Sequence, residues 1–268
     1  MEDYKEIANN ARKKVLEMVH LAGTSHIGSN FSCMDVLAVL FSKLILDKDL
    51  KDDRDRFILS KGWAAAALYY FLSEKGVIPK DDLKTYCQPG SKYIGLAEPD
   101  VRGVEVAGGA MGHGLPMAVG MALGAKLSGE KWKTFVLMSD GELDCGTTWE
   151  CAALAPQHKL NNLTVIVDCN DFQAMGTTKE VLSMEPLADK WKAFNWDVAE
   201  IDGHNYVQIN KAITESFKST RKRPLVIIAR TTKGKGVSFF ERKLEWHYKN
   251  IDKENYIKAL SELNNNGK

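Results

Sequence analysis

Thr134-Phe135-Val136-Leu137-Met138-Ser139-Asp140-Gly141-Glu142 and, further on, Leu163-Thr164-Val165-Ile166-Val167-Asp168-Cys169-Asn170 decide how this chain folds. Each stretch is a short apolar run closed by polar residues, the pattern of a buried strand. Between them, Gly146, Thr147 and Thr148 open a helical spacing of apolar residues at Trp149, Ala152, Ala153 and Leu154. The unit reads strand, loop, helix, strand. It sets Asp140 at the carboxyl end of the first strand and Asn170 at that of the second. In a parallel sheet both side chains emerge at the edge where ligands bind. A carboxylate and an amide oxygen there suit a hard divalent cation, which commonly bridges protein to a diphosphate. Spacing alone leaves a capping Asp and a turn Asn as the plainer reading.

The rest of the chain continues the alternation. Ile7, Ala11, Val15, Met18, Val19 and Ala22 recur at helical spacing. Ser32-x-x-Asp35 predicts a capping box before a helix over Val36 to Phe41. Phe57-Ile58-Leu59 is a short strand, Gly62 to Ser73 an Ala-rich helix, and Pro79 to Gly103 a long loop with one short helix. Gly112 to Leu127 reads as a helix with a glycine-rich start. Leu187 to Phe194 and Tyr206 to Ser219 read as helices, Asp197 to Ile201 and Leu225 to Ala229 as strands. The fold class is therefore α/β, a mainly parallel sheet with helices on both faces. Residues 1–268 are expected to form one domain, with 262–268 as a frayed tail.

Composition excludes several classes. The 268 residues carry a net charge of +1, 36 basic against 35 acidic, which points to no nucleic acid and no membrane surface. No apolar run reaches the length of a membrane span, and Met1-Glu2-Asp3-Tyr4-Lys5 does not begin a signal peptide. Five cysteines without a Cys-x-x-Cys pair read as reduced thiols in a cytoplasmic protein. The spacing of Cys145, Cys151 and Cys169 argues against zinc.

The central unit resembles the thiamine diphosphate fingerprint, Gly-Asp-Gly followed after roughly 25 to 30 residues by Asn-Asn. More narrowly, the chain resembles the amino-terminal half of transketolases from about Ala8 to about Tyr248. Six ordered blocks carry this likeness. They are Ala22 to Gly28; Arg54 to Gly62; Gly103 to Val106 with Gly109 to Gly114; the fingerprint; Ile201-Asp202-Gly203-His204; and Lys233 to Phe239 followed by Trp246-His247. The fingerprint itself departs at Ser139 and Cys169, where Gly and Asn are usual.

The resemblance implies thiamine diphosphate as cofactor, held through Mg²⁺ or Ca²⁺. The cation's ligands would be the side chains of Asp140 and Asn170 and the backbone carbonyl of Phe172. Gly141 would let the backbone approach the diphosphate. Gly109, Ala110 and Met111 would line the site, although a Gly-rich turn taken alone reads as tight packing. His113 receives no chemical role. His26 and His247 would bind substrate oxygens and shuttle protons, with His247 also reaching the diphosphate; alone, either histidine reads as structural. His20, His158 and His204 receive no such role. Lys233-Gly234-Lys235-Gly236 reads either as a solvated basic loop or, by resemblance, as a mobile loop over the entrance.

Three positions depart from the family. Trp63 and Leu96 stand where sugar-binding histidines are usual, and Cys145 where an interface Glu is usual. Losing donors to sugar hydroxyls changes which substrate is preferred. The Glu that activates the cofactor lies, in transketolases, on a pyrimidine-binding domain that this sequence lacks. The resemblance therefore implies the amino-terminal subunit of a two-chain enzyme. A carboxyl-terminal partner would supply that Glu, in a two-fold heterotetramer. Ala64 to Tyr70 is a candidate part of the interface.

The expected activity is transfer of a two-carbon ketol unit from a ketose to an aldehyde, on sugars or sugar phosphates that include a non-standard one. The alternative is a catalytically impaired structural or regulatory subunit. A third reading, the α subunit of a 2-oxo acid dehydrogenase, is opposed by the Ser25 to Gly28 and Trp246-His247 blocks.

Overall fold

A computed structural model describes residues 3–265. Its strands are β1 (Arg56–Leu59), β2 (Thr134–Ser139), β3 (Leu163–Cys169), β4 (Asp197–Asp202) and β5 (Leu225–Arg230). They form one sheet in the order β1-β2-β3-β5-β4, with every neighbouring pair parallel. Three helices precede the sheet: α1 (Tyr4–Ala22), α2 (Ile27–Ser32) and α3 (Met34–Lys43). Between β1 and β2 come α4 (Ala65–Glu74) and α5 (Gly114–Leu127), and between β2 and β3 comes α6 (Gly146–Gln157). The connection to β4 holds α7 (Thr178–Val181) and α8 (Leu187–Ala193); α9 (Tyr206–Ser216) precedes β5 and α10 (Lys253–Asn265) follows it.

The apolar runs of β1, β2, β3 and β5 are continuous because these strands are buried on both faces, whereas edge strand β4 buries only Ile201. On β2, Phe135 and Leu137 join one core layer while Val136 and Met138 join the other. On β5, Ile227 and Ile228 divide the same way. The first layer takes Val15, Leu16, Leu37, Ile213 and Leu263 from α1, α3, α9 and α10. The second takes Leu115, Val119, Ala155 and Trp191 from α5, α6 and α8. This is the α/β architecture expected from the sequence, and it leaves the carboxyl edge of the strands to the loops.

Three sequence-based expectations are corrected. Ser32 caps nothing: it ends α2, and α3 starts at Met34 without a side-chain cap. Its hydroxyl donates instead to Asp168, 2.7 Å away. The tail from Glu262 is not frayed as far as Asn265, because it is the last turn of α10. There Leu263 is buried and Glu262 accepts from the Ser238 hydroxyl at 2.9 Å. Residues 266–268, also assigned to that tail, lie outside the described residues. Ala64 to Tyr70 is not a surface: all seven residues are buried within this chain. A helix apolar on every side belongs in a core, not at an interface.

Candidate active site

A cavity of about 580 Å³ opens beyond the carboxyl ends of β1, β2 and β3. His26, between α1 and α2, and His247, in a short turn before α10, enter from one side. Gly141, Asn170 and Phe172 enter from the ends of β2 and β3, and Gly109 and Met111 from the glycine-rich turn before α5. Two expected residues stand apart. Ala110 is exposed and lies off the cavity wall. Asp140 faces an adjoining cavity of about 550 Å³, and Phe172 lines both.

Sheet register fixes the cation end. Ser139 of β2 pairs with Asp168 of β3, so Asp140 leaves the sheet level with Cys169, one residue short of Asn170. The Asp140 carboxylate accepts the N–H of Gly141 at 2.9 Å and of Asp171 at 2.8 Å. Asn170 Oδ1 accepts the N–H of Phe172 at 3.2 Å, and its Nδ2 donates to Asp168 at 2.9 Å. Burial, and then the charge of Asp168, push the Asp140 carboxyl up to about 7. Such a carboxyl carries negative charge that its surroundings do not balance, and a cation would relieve it. Among the described residues no three His, Cys, Asp or Glu side chains gather as metal ligands. A cation here would use the carboxylate, the amide oxygen and the Phe172 carbonyl, all hard oxygens. The cradle beside them is tight, since a Cβ on Gly141 would lie 2.9 Å from Gln173 Cγ. The donor set and the cradle fit a diphosphate bridged by a divalent cation.

Beneath this end lies a buried polar network that the sequence did not disclose. Lys61, just past β1, pairs with Asp168 and donates to Ser32 Oγ at 2.9 Å. Thr231 Oγ1 donates to Asp168 Oδ1 at 2.6 Å. Burial works against both charges. Yet the pairing holds Asp168 below, and Lys61 above, their usual ranges. Asp168 in turn orients Asn170 through its Nδ2. A signal did exist: a lone charge inside the run Val165 to Cys169 is out of place unless it is paired.

The other end of the cavity is imidazole and cation. The rings of His26 and His247 meet edge to face, centroids 5.0 Å apart. His26 Nδ1 lies 2.7 Å from Ser25 Oγ, and the His26 N–H donates to the His247 carbonyl at 3.2 Å. Lys233 is fully buried, its Nζ 2.7 Å from His247 Nδ1. Desolvation, with the charge of Lys61 next, lowers its ammonium to about 8. Desolvation, followed by the charge of Lys233, lowers His26 to about 4 and His247 to about 3. Both rings are neutral at pH 7 and can accept or donate a hydrogen bond. Lys233 is therefore no solvated loop residue. Its segment, expected as a mobile loop, is pinned by Gly234 N–H to the Gly28 carbonyl at 3.1 Å. The Arg242 N–H reaches the Lys233 carbonyl at 3.0 Å.

The departing residues lie at different distances from the cavity. Trp63 lines the cavity and stacks on His26. Leu96 packs on the glycine turn, its Cδ1 3.3 Å from where a Cβ on Gly109 would stand. Cys145 heads α6 beside Gly112. Nearby, the buried Glu142 accepts from Ser60 Oγ and from the Gly112 N–H, leaving Oε2 without a partner. Cys169, in place of the first fingerprint Asn, is a buried thiol, pushed well above its usual range by burial and then Asp140. Ser139 Oγ accepts the Glu142 N–H at 3.2 Å and steadies the turn.

The parallel α/β sheet is that of the thiamine diphosphate-binding fold, as its likeness to transketolases shows. Residues 3–264 match the family described as transketolase, thiamine diphosphate binding domain, and the chain belongs to that family. It is similar to one of the subunits of the apulose-4-phosphate transketolase from Phocaeicola vulgatus, 42% identical over 255 residues, covering 94% of this chain and 90% of that protein. It is also similar to a 6-deoxy-6-sulfo-D-fructose transketolase subunit of Clostridium sp. strain MSTE9, 37% identical over 271 residues, covering 99% and 98%. The crystal structure of transketolase from Campylobacter jejuni superposes with a TM-score of 0.90 at 32% identity. The match covers 98% of this chain and spans 43% of that one.

Proposed function

We propose that this chain is the diphosphate-binding subunit of a two-chain transketolase. The pair would move a two-carbon ketol unit from a ketose to an aldehyde, with a non-standard sugar or sugar phosphate among its substrates. One observation carries the reading: the cavity that holds His26 and His247 is walled by Gly141 and Asn170 from the ends of β2 and β3, and Asp140 opens on the cavity beside it, which shares Phe172. Two relatives that match nearly end to end are subunits whose names specify apulose-4-phosphate and 6-deoxy-6-sulfo-D-fructose.

In this reading Asp140, Asn170 and the Phe172 carbonyl hold Mg²⁺ or Ca²⁺, and Gly141 admits the diphosphate. Gly109 and Met111 wall the coenzyme, with Ala110 beside them. Bound thiamine diphosphate supplies the nucleophilic carbon for this class of reaction. His26 and His247 orient the ketose carbonyl and hydroxyls and move protons at those oxygens. Lys233 donates to His247 Nδ1, so the neutral ring carries its proton on Nε2 and can give it to a substrate oxygen. A separate polypeptide brings the pyrimidine-binding domain and its Glu, docking over the rim where Met111, Met175 and Tyr248 are exposed. The free state of all five cysteines supports a reducing, cytoplasmic setting.

The test is reconstitution with the partner, thiamine diphosphate and Mg²⁺, assayed on a panel of ketoses. Transfer to an aldehyde with one modified ketose preferred supports the reading; equal efficiency on ordinary sugar phosphates removes its substrate clause. Trp63 over His26 favours one alternative, a structural or regulatory subunit that binds coenzyme weakly. Calorimetry of the assembled pair separates the two.

A further inference from the structure

A hydrogen-bond relay outside the cavity ends on the segment that carries Lys233. It starts at Asp35 of α3, a buried carboxylate. Arg12 of α1 donates to both of its oxygens, at 2.9 and 2.7 Å. The Tyr206 hydroxyl donates to Oδ1 at 2.6 Å. Burial would raise this carboxyl, but the charge of Arg12 and the donors around it hold it well below the usual range.

The remaining partner is His204, whose Nδ1 lies 2.7 Å from Asp35 Oδ2. On the other side of the ring, Nε2 lies 2.8 Å from the backbone N–H of Thr232. A backbone N–H can only donate. Nε2 is therefore the acceptor, and Nδ1 carries the ring proton and gives it to Asp35. Each end of the ring fixes the role of the other. Thr232 immediately precedes Lys233, whose buried ammonium meets His247.

We propose that Asp35 and His204 are positioning residues. Their relay sets the backbone at Thr232, and with it the place of the Lys233 ammonium against His247. Its bearing on turnover rests on the transketolase reading; its bearing on His247 does not.

Two substitutions split the ring's two jobs. The amide nitrogen of Asn can replace Nδ1, and the amide oxygen of Gln can replace Nε2. His204→Asn thus keeps the bond to Asp35 and loses the acceptor for Thr232, whereas His204→Gln keeps the acceptor. In the full chain labelled with ¹⁵N-histidine, His204→Asn is expected to shift the ring-nitrogen resonances of His247, while His204→Gln restores them. In the reconstituted pair, His204→Asn raises the KM for thiamine diphosphate on the order of tenfold, with His204→Gln close to wild type. Tyr206→Phe removes one donor from Asp35 but leaves it bonded to Arg12 and His204, so it leaves His247 unmoved. Equal shifts in all three variants, or none in His204→Asn, overturn the relay. Should His204→Asn fail to fold, the wild-type chain decides: a ¹⁵N–¹⁵N coupling across the Thr232 to His204 hydrogen bond is expected, and its absence overturns the relay. If the resonances respond as expected while no variant binds thiamine diphosphate, the relay stands and the functional reading fails.

Discussion

The imidazole of His26 lies face to face with the indole of Trp63, ring centroids 4.2 Å apart and planes 6° from parallel. His26 also has φ 70°, a left-handed backbone that disfavours side chains with a Cβ. The stack covers one face of the ring. If His26 binds substrate as proposed, Trp63 would limit the directions from which substrate can approach it. Trp63→His is expected to shift kcat/KM toward ordinary ketose phosphates by about 10- to 100-fold relative to wild type. Trp63 is 46% exposed, so the melting temperature should change little. An unchanged preference would count against a specificity role.

The proposed cation role of Asp140 predicts that coenzyme binding depends on pH. Burial, and then the charge of Asp168, push its carboxyl up to about 7, so protons would compete with a cation there. Affinity for thiamine diphosphate with Mg²⁺ should fall as pH drops through about 7, measured by calorimetry on the assembled pair. Asp140→Asn should lower affinity by roughly 100-fold or more and flatten that dependence. A chelator should release the coenzyme from wild type.

The histidines set the acid limb of stability. His26 falls from 6.5 to about 4 on folding, and His247 from 6.5 to about 3. Below 6.5 the unfolded chain binds more protons at these sites than the native one, so their contribution is lost as pH falls toward 4. Asp140 acts with the opposite sign: its native value is raised, so its contribution weakens as pH rises from 3.8 toward 7. Denaturant titrations across this range should show His247→Gln losing less stability on acidification than wild type.

Gly62 and Gly120 predict opposite outcomes for one substitution. A Cβ on Gly62 would stand 1.7 Å from the Gly108 carbonyl oxygen, so Gly62→Ala must displace the glycine turn. It should cost about 3 kcal/mol or more and reduce coenzyme binding. A Cβ on Gly120, inside α5, meets nothing within 4 Å. Gly120→Ala should stabilise the isolated chain by about 0.5–1 kcal/mol in thermal unfolding.

Lys61→Met leaves Asp168 buried beside its neutral donors but without its cation. The expected loss is about 3–5 kcal/mol. Lys61→Met with Asp168→Asn should recover part of it in a double-mutant cycle.

Strands β1, β2, β3 and β5 are legible in the sequence because their apolar runs are continuous, and Asp140 and Asn170 because they end two of those runs. Placement around the sheet is less so. Helix α10 escapes a reading by pattern, since its buried side rests on little more than Ala259 and Leu263 among charged and polar neighbours. Ala64 to Tyr70 reads as a surface because an apolar helix looks the same in sequence whether it meets its own chain or another. The Lys61 network and the relay from Asp35 join residues from distant segments, and no local pattern announces such meetings. Lys233 looks solvated in sequence because burial of a lysine depends on what packs over it, here the backbone near Gly28 and Trp246.

The pairing of Ser139 with Asp168 has an outcome for biogenesis. Sliding one strand past the other by a single residue would shift Asp140 about 3.3 Å along the edge relative to Asn170 and exchange the core layers that the slipped strand's side chains enter. On the proposed cation role of Asp140 and Asn170, uptake of coenzyme would report the correct alignment of these two strands.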